Sequence, residues 1–244
     1  MTHGLVDIHQ HVIYGVDDGP TKWEETQAML EKAVNQGIER IVATSHVSPG
    51  RTHFDYSDYL DKLNRINYLI WEKKWNLKLL PGCEIYYSPQ ALDRLNRRKI
   101  PTLAMSDHIL VEFSPFEEYK VIYDAFRTLA NAGYQPILAH VERYQCMYDK
   151  MQMVLDLKEF DVRIQMNAQT VLRSQGFGPK RFIRRLLEEG IVDFVATDAH
   201  NTSSRPVCLG DAHRFLVKNY SQELADRLTW KNQGTITPAL NTAL

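Results

Sequence analysis

A chain of 244 residues is long for an average domain but within the range of one α/β barrel, and its composition is that of an ordinary water-soluble protein. Thirty acidic against twenty-nine basic residues leave a formal charge of -1, which excludes the strongly basic balance of a nucleic-acid binder or of a protein held on an anionic membrane. No apolar run approaches the roughly 18 residues needed to span a bilayer, and the opening MTHGLVDIHQH lacks the basic-then-apolar layout of a signal peptide. The expectation is a cytoplasmic protein, without membrane insertion, of one domain over residues 1–244. Cys83, Cys146 and Cys208 are odd in number, widely spaced and without a C-x-x-C pair, which argues against a disulfide framework and against a thiolate zinc site.

Along the chain, short apolar or β-branched runs alternate with longer amphipathic ones, the pattern of successive βα units. The first strand is LVDIH near residue 5, followed by a helix over 22–36 that Gly37 closes. RIVATSH from Arg40 is the second strand, a helix follows over 57–74, and KLLPGCEIYY from Lys78 is the third strand. HILVEF from His108 precedes a helix over 118–132 closed by Gly133, and PILAHVE from Pro136 and VRIQMN from Val162 are the next strands. A helix over 179–189, closed by Gly190, leads into VDFVATDAH from Val192, and the tail from Ser221 carries one more helical stretch, expected on the outside of the barrel. The three glycines stand where a helix-terminating residue takes the left-handed conformation. Several strands read apolar almost continuously, as strands covered on both faces do.

Set against these strands, the metal-capable side chains fall into a pattern. Asp7, His9 and His11, then His46, Glu84, Glu112, His140, and Asp198 with His200 each lie at or just after the C-terminal end of a strand, and Asp18 follows in the first loop. In parallel α/β barrels those ends converge on one face, where active sites are built. In D-I-H-Q-H the two histidines are two apart, so in an extended strand they share a side and can chelate one ion, and D-A-H repeats the spacing at 198–200. Imidazole mixed with carboxylate and no thiolate suits Mn²⁺, Fe²⁺ or Zn²⁺. Nine or ten such groups are too many for one ion, so two or three ions sharing a bridging carboxylate are expected. Acidic groups and histidines are costly at the ends of apolar strands unless paired or coordinated, which weighs against six coincidental placements.

With DIHQHVIYGVDDGP, ATSH, GCEIYY, LVEF, PILAHVERY and ATDAHNTSSRP in place, the chain resembles the PHP (polymerase and histidinol phosphatase) family, and within it the bacterial manganese-dependent protein-tyrosine phosphatases of capsular and exopolysaccharide operons. The resemblance runs over nearly the whole chain. It implies a distorted (β/α)₇ TIM-like barrel with three Mn²⁺ ions, Fe or Zn being the alternatives. It implies one ion on His9, His11, Glu84 and Asp198, a second on Glu112 and His140 with Glu84 bridging, and a third on Asp18, His46 and His200. Arg143 and Arg205 match positions where this group places arginines near the phosphate, and a guanidinium is permanently charged and can grip two oxygens at once. The implied reaction is hydrolysis of phosphotyrosine by metal-activated hydroxide, and the implied partner is the C-terminal tail of a bacterial tyrosine kinase that governs capsule or exopolysaccharide synthesis. A homo-oligomer is left open. Relatives often carry further basic or histidine residues directly after His46; here Arg51 and His53 come later, and of two readings, the rim of the pocket or the general surface, the surface is preferred. Asp7 is read as a buried or ligand-orienting carboxylate, and His3, His108 and His213 belong to no site.

Parts of the pattern also fit other activities. Cys208-x₅-Arg214 has the spacing of a cysteine-dependent phosphatase, but that chemistry needs a thiolate of lowered pKa at a helix N-terminus behind a strand, and Cys208 reads as lying inside a helix with no strand before it. A histidinol-phosphate phosphatase, a nuclease-like PHP enzyme and an amidohydrolase keep the metals and change the substrate. A non-catalytic phosphotyrosine-binding partner keeps neither turnover nor a need for a complete ligand set.

Overall fold

The computed structural model describes residues 4–175 and 179–237; His3 lies outside them. The strands are β1 (Leu5–Gln10), β2 (Ile38–Ala43), β3 (His46–Val47), β4 (Lys78–Pro81), β5 (Glu84–Tyr86), β6 (His108–Glu112), β7 (Gln135–Leu138), β8 (Arg163–Asn167) and β9 (Phe194–Ala196). The helices that connect or cover them are α1 (Trp23–Asn35), α2 (Tyr56–Glu72), α3 (Ala91–Asn96), α4 (Tyr119–Asn131), α5 (Met151–Leu157), α6 (Ala168–Leu172), α7 (Pro179–Glu188), α8 (Leu209–Asn219), α9 (Gln222–Asp226) and, after a π-helical turn at Arg227–Lys231, α10 (Gln233–Ile236). All strand pairings among the described residues are parallel, in the orders β1-β2-β4 and β3-β5-β6-β7-β8-β9, so the sheet curls into a distorted (β/α)₇ barrel.

The second and third strands of the sequence each break in two, at Thr44–Ser45 and at Gly82–Cys83, which is how seven strand positions become nine segments. The break is held by Tyr59 of α2, fully buried, whose hydroxyl lies 2.9 Å from Ala43 O, Gly82 O and Gly82 N and takes up backbone groups that the interrupted ladder leaves. Gly82 is required there because a Cβ would come within 2.5 Å of the Val42 side chain. The helices follow their apolar spacing: α4 buries Ile122, Ala125, Phe126 and Leu129 against the sheet, each aliphatic or aromatic side chain contributing roughly 1.5–3 kcal/mol. Gly37, Gly133 and Gly190 take φ of 78°, 91° and 69°, as their positions after helices require.

Inside the barrel, Val6, Ile8, Val42, Leu80, Leu110, Ile137, Phe194 and Ala196 pack with Leu103 and Ile236, and Trp230 lies against them. The end of the tail, from Trp230, is therefore not on the outside, contrary to the sequence expectation, whereas α9 does pack outside, against α8. The reason is the barrel seam: β1 and β9 share no continuous ladder, so β9 presents a free edge, and Asn232 Nδ2 and Gln233 Nε2 donate to Asp193 O and Val195 O at 2.8 and 3.3 Å along it. The seam closes only near its C-terminal end, where Gln10 bridges Ala199, His11 N donates to Ala199 O at 2.9 Å and Asp198 N donates to His9 O at 2.8 Å. That closure brings the first and last strands' histidines and carboxylates together.

Candidate metal centre

Local backbone devices aim the side chains. Between Asp7 and Gln10 the register of β1 slips against β2, so Ile8 joins the barrel's apolar interior and the next residue, His9, enters the site, a succession that regular alternation forbids. His140 and Asp198, just past β7 and β9, take left-handed φ of 33° and 53°, a conformation costing about 1–3 kcal/mol for a non-glycine residue and concentrated at functional positions. After β1 the chain folds back so closely that a Cβ at Gly19 would sit 2.8 Å from His11 O, which seats Asp17 and Asp18 beside the histidines.

Four side chains meet at one point. His9 Nε2 lies 3.2 Å from Glu84 Oε2 and 3.3 Å from Asp198 Oδ1, and His11 Nε2 lies 3.2 and 3.6 Å from the same two oxygens. The far nitrogens are engaged elsewhere: His11 Nδ1 is 2.7 Å from Asp17 Oδ2 and His9 Nδ1 is 3.2 Å from Gln165 Oε1, both acceptors. Each ring therefore carries its proton on Nδ1 and turns an Nε2 lone pair inward, where the two nitrogens face each other at 3.3 Å beside two carboxylates. A divalent cation satisfies such a cluster of acceptors. All four residues are buried.

Around Glu84 the cluster extends in two directions. His140 Nε2 is 2.8 Å from Glu84 Oε1 and 3.5 Å from Glu112 Oε2, while His46 Nδ1 is 3.2 Å from Glu84 Oε2 and 3.0 Å from Glu112 Oε1. On the other side, His200 Nε2 and His46 Nε2 converge on Asp18 Oδ1 at 3.2 and 3.4 Å, and His11 stands close enough to complete a four-residue group. Three groups able to hold an ion result: His9, His11, Glu84 and Asp198; His46, Glu84 and Glu112, with His140 beside them; and His11, Asp18, His46 and His200. The first set is the quartet named from the sequence, whereas His46 reaches two groups through its two nitrogens instead of one. The donor chemistry fits divalent ions, and buried Glu84 Oε2, His46 Nδ1 and His200 Nε2 have no well-formed hydrogen bond. The mouth lies at Asp18, whose side chain is 60% exposed, and at His46, 30% exposed.

The electrostatics follow from this crowding. Burial alone would push His11 down, yet Asp17 and Glu84 raise it well above the usual histidine range. Burial would push Glu84 up, yet the surrounding histidines hold it well below the carboxylate range. Asp18 is lowered chiefly by the close polar contact of its carboxylate with the His200 ring. Asp198 is lowered too: His9, His11 and Arg143 outweigh burial and the opposing Glu84 charge.

Arg143 and Arg205 straddle Asp198, with Nη2 atoms 2.5 Å from Oδ2 and 2.8 Å from Oδ1, and Arg205 Nη1 lies 3.6 Å from Asp18 Oδ2. They line a cleft of about 260 Å³ with Glu142, Asn167 and Asp198. Both side chains remain about one-third exposed, so part of each guanidinium is open to solvent.

The sequence model of the family described as "Capsular polysaccharide synthesis, CpsB/CapC" matches residues 5–237. The chain belongs to this family. Within CpsB/CapC, the chain is 31% identical over 95% of its length to the tyrosine-protein phosphatase CpsB of Streptococcus agalactiae, 98% of which is covered. It is 30% identical over 92% of its length to the tyrosine-protein phosphatase YwqE of Bacillus subtilis, 89% of which is covered. Among solved structures, one from work on YwqE of Bacillus subtilis and CpsB of Streptococcus pneumoniae, described as metal-dependent tyrosine phosphatases, superposes with a TM-score of 0.86 at 28% identity, covering 95% of this chain and 94% of the other. A histidinol phosphate phosphatase from Lactococcus lactis, solved with zinc, L-histidinol and phosphate, shares the fold at a TM-score of 0.59 and 15% identity, covering 88% and 93% of the two chains.

Three polar residues that sequence reasoning passed over support this CpsB/CapC centre. Asp17 orients His11 and also accepts the His46 backbone N–H at 2.9 Å. Gln165 Oε1 accepts the His140 N–H at 2.7 Å while facing His9, and Gln165 Nε2 donates to Asn167 Oδ1 at 2.9 Å. Asn167 Nδ2 in turn donates to Asp198 Oδ2 at 2.9 Å. The signal was present as R-x-Q-x-N, a polar alternation along one face of β8. Asp7 turns no site imidazole: it accepts from Thr197 N, Thr197 Oγ1 and His9 N, stitching the seam, and burial pushes it up to about 6 against those bonds.

One expectation is corrected. Cys208 is not inside a helix but is the residue that opens α8. Its thiol is nonetheless buried and pushed up to about 12, and Arg214 is paired with Asp211 at 2.6 Å, so no phosphate-binding thiolate ring forms there. His108 lies at the opposite end of the barrel with Gln135, Arg163 and Phe194, and His213 lies beside Thr229, both away from the cluster.

Proposed function

We infer that this chain is a metal-dependent protein-tyrosine phosphatase, a phosphoric monoester hydrolase built as one PHP-type domain over residues 1–244. The observation that carries the reading is the convergence of His9, His11, Glu84 and Asp198, imidazoles locked by Asp17 and Gln165, in a CpsB/CapC chain. His9, His11, Glu84 and Asp198 would hold one ion, Glu112, His140 and the bridging Glu84 a second, and Asp18, His46 and His200 a third, with His46 also available to the second. Mn²⁺ is the proposed metal. Such ions, when bound, polarise phosphate oxygens and bring the pKa of water towards neutrality.

The chain's own residues supply the rest. Arg143 and Arg205 bind phosphoryl oxygens through paired N–H groups and stabilise the charge that grows on them during in-line attack. Asp198 between them keeps both guanidinium groups oriented before substrate arrives. Gln165 and Asp17 hold protons on the outer nitrogens of His9 and His11, so these rings stay acceptors towards the centre. A tyrosyl phenolate, with a pKa near ~10, leaves readily, so little proton donation is required. Water and the phosphotyrosyl side chain yield tyrosine and inorganic phosphate.

The proposed physiological substrate is the phosphorylated C-terminal tail of a tyrosine kinase controlling capsule or exopolysaccharide synthesis, met in the cytoplasm. No helix among the described residues is long and apolar enough to cross a membrane. The test is a comparison of phosphotyrosyl peptide, histidinol phosphate and single-stranded DNA with Mn²⁺ present. Selective hydrolysis of the peptide is expected; preference for histidinol phosphate or DNA refutes the substrate.

A further inference from the structure

Beyond His46 the chain leaves the centre through a loop over 48–55 that the phosphatase chemistry does not use. With the end of α3 and the residues after it, this loop walls a groove of about 720 Å³ that begins at Val47, the residue next to His46. Arg51, Arg94 and Lys99 line it, with His53 among them. Among the described residues none of the three permanent cations has a carboxylate partner. The lining's one carboxylate, Asp55, is committed elsewhere: it caps α2 by accepting from Ser57 N and Asp58 N at 3.0 Å. Phe54 and Tyr56 add an aromatic surface.

The groove is joined to the metal centre. The Arg51 guanidinium lies 4.6 Å from the centroid of the Tyr86 ring, and Tyr86 is the register partner of Glu112. His46 and Asp18 are the exposed members of the cluster, and His46 stands in β3 directly before the loop. In a chain of net charge -1, three unpaired cations along one groove form a local field that the fold itself does not need. Their role differs from that of Arg143 and Arg205, which already face carboxylates of the cluster.

We propose that this groove receives an acidic stretch of the phosphotyrosyl protein, its Asp and Glu side chains meeting Arg51, Arg94 and Lys99 while the phosphotyrosine enters the metal centre. The inference rests on the phosphatase reading and specifies its substrate: acidic residues flank the phosphorylated tyrosine. Charge pairs at an exposed rim act mainly on encounter and on selection between partners, so the preference is salt-sensitive.

The experiment uses the full chain with Mn²⁺ and two fluorescent peptides of equal length, each carrying a non-hydrolysable phosphonate in place of the phosphotyrosyl phosphate. One peptide has Asp/Glu flanks and the other Asn/Gln flanks. Fluorescence anisotropy is expected to show the acidic peptide binding about tenfold tighter at low salt, with the gap closing near ~0.5 M NaCl. The Arg94→Glu/Lys99→Glu double variant should lose the preference while its turnover of a small aryl phosphate and its thermal unfolding stay at wild-type values. Equal binding of the two peptides by the wild type, or an unchanged preference in the double variant, overturns the proposal. So does a groove that binds phosphatidylserine vesicles and shows no peptide preference. A wild type that turns over no aryl phosphate refutes the phosphatase reading instead, and the anisotropy preference still decides the groove.

Discussion

Replacing Gln165 by Leu removes one acceptor on which two buried donors of the metal centre depend. Gln165 is fully buried, and its Oε1 receives the His140 backbone N–H at 2.7 Å and faces His9 Nδ1 at 3.2 Å. Leu has similar volume, so the loss is of hydrogen bonds and not of packing. Each buried donor left unsatisfied costs about 1–3 kcal/mol, giving about 2–6 kcal/mol for the pair. For a chain of this size that corresponds to a fall in Tm of roughly 4–24 °C. His9 is also freed to shift its proton or rotate, and loss of a group that orients a metal-bound histidine typically weakens metal binding about 10–100-fold. Thermal unfolding of the EDTA-treated protein reads the first effect. Titration of aryl phosphate turnover with Mn²⁺ reads the second, and excess metal should restore much of the rate because every proposed ligand is still present. A Q165L protein with wild-type Tm and an unchanged Mn²⁺ requirement would refute the role given to this residue.

Other outcomes follow from the same geometry. Arg143→Ala and Arg205→Ala should each lower kcat/KM for aryl phosphates about 10–100-fold, the worth of a charge-assisted contact, and Lys at either position should recover only part of it; wild-type kcat/KM in both Ala variants would contradict the phosphate-binding assignment. Cys208→Ser should leave turnover intact, since the thiol is buried and raised to about 12; inactivation with an unchanged Tm would contradict this. In metal-free protein, burial alone would lower the His140 pKa, but Glu112 and Glu84 raise it to about 9, above the ordinary value of 6.5. The stabilisation this gives is complete below about 6.5 and is lost as pH rises through about 9. Apo-protein stability should therefore fall across that window while metal affinity rises with proton release, which calorimetry in two buffers measures; a flat apo stability and no released protons would oppose it.

The ligand-type residues other than Asp18 were legible because each stands at or just after the end of an apolar run in the sequence, and D-I-H-Q-H and D-A-H carry their own spacing. Gln165 and Asn167 were not, since amides on a strand carry no charge and resemble ordinary surface positions until the barrel curls them inward beneath His9 and Asp198. Asp17 was masked by its neighbour: in a D-D pair, sequence cannot tell which carboxylate turns in to His11 and which turns out to His200. The strand breaks at Thr44–Ser45 and Gly82–Cys83 escape periodicity because apolar residues continue through them, and only Tyr59, remote in sequence, pairs the exposed backbone. The end of the tail was misplaced for a related reason. Its helical pattern shows an apolar face but not that the β9 edge is free to receive Asn232 and Gln233.

In the proposed function, turnover depends on divalent ions held by the nine side chains His9, His11, Asp18, His46, Glu84, Glu112, His140, Asp198 and His200. Elemental analysis of the purified protein, coupled to phosphotyrosyl-peptide hydrolysis before and after EDTA treatment, tests it directly. Two to three divalent ions per chain are expected, with activity lost on chelation and returned by Mn²⁺. Protein that holds no ion, or hydrolysis that survives complete removal of metal, would contradict the account.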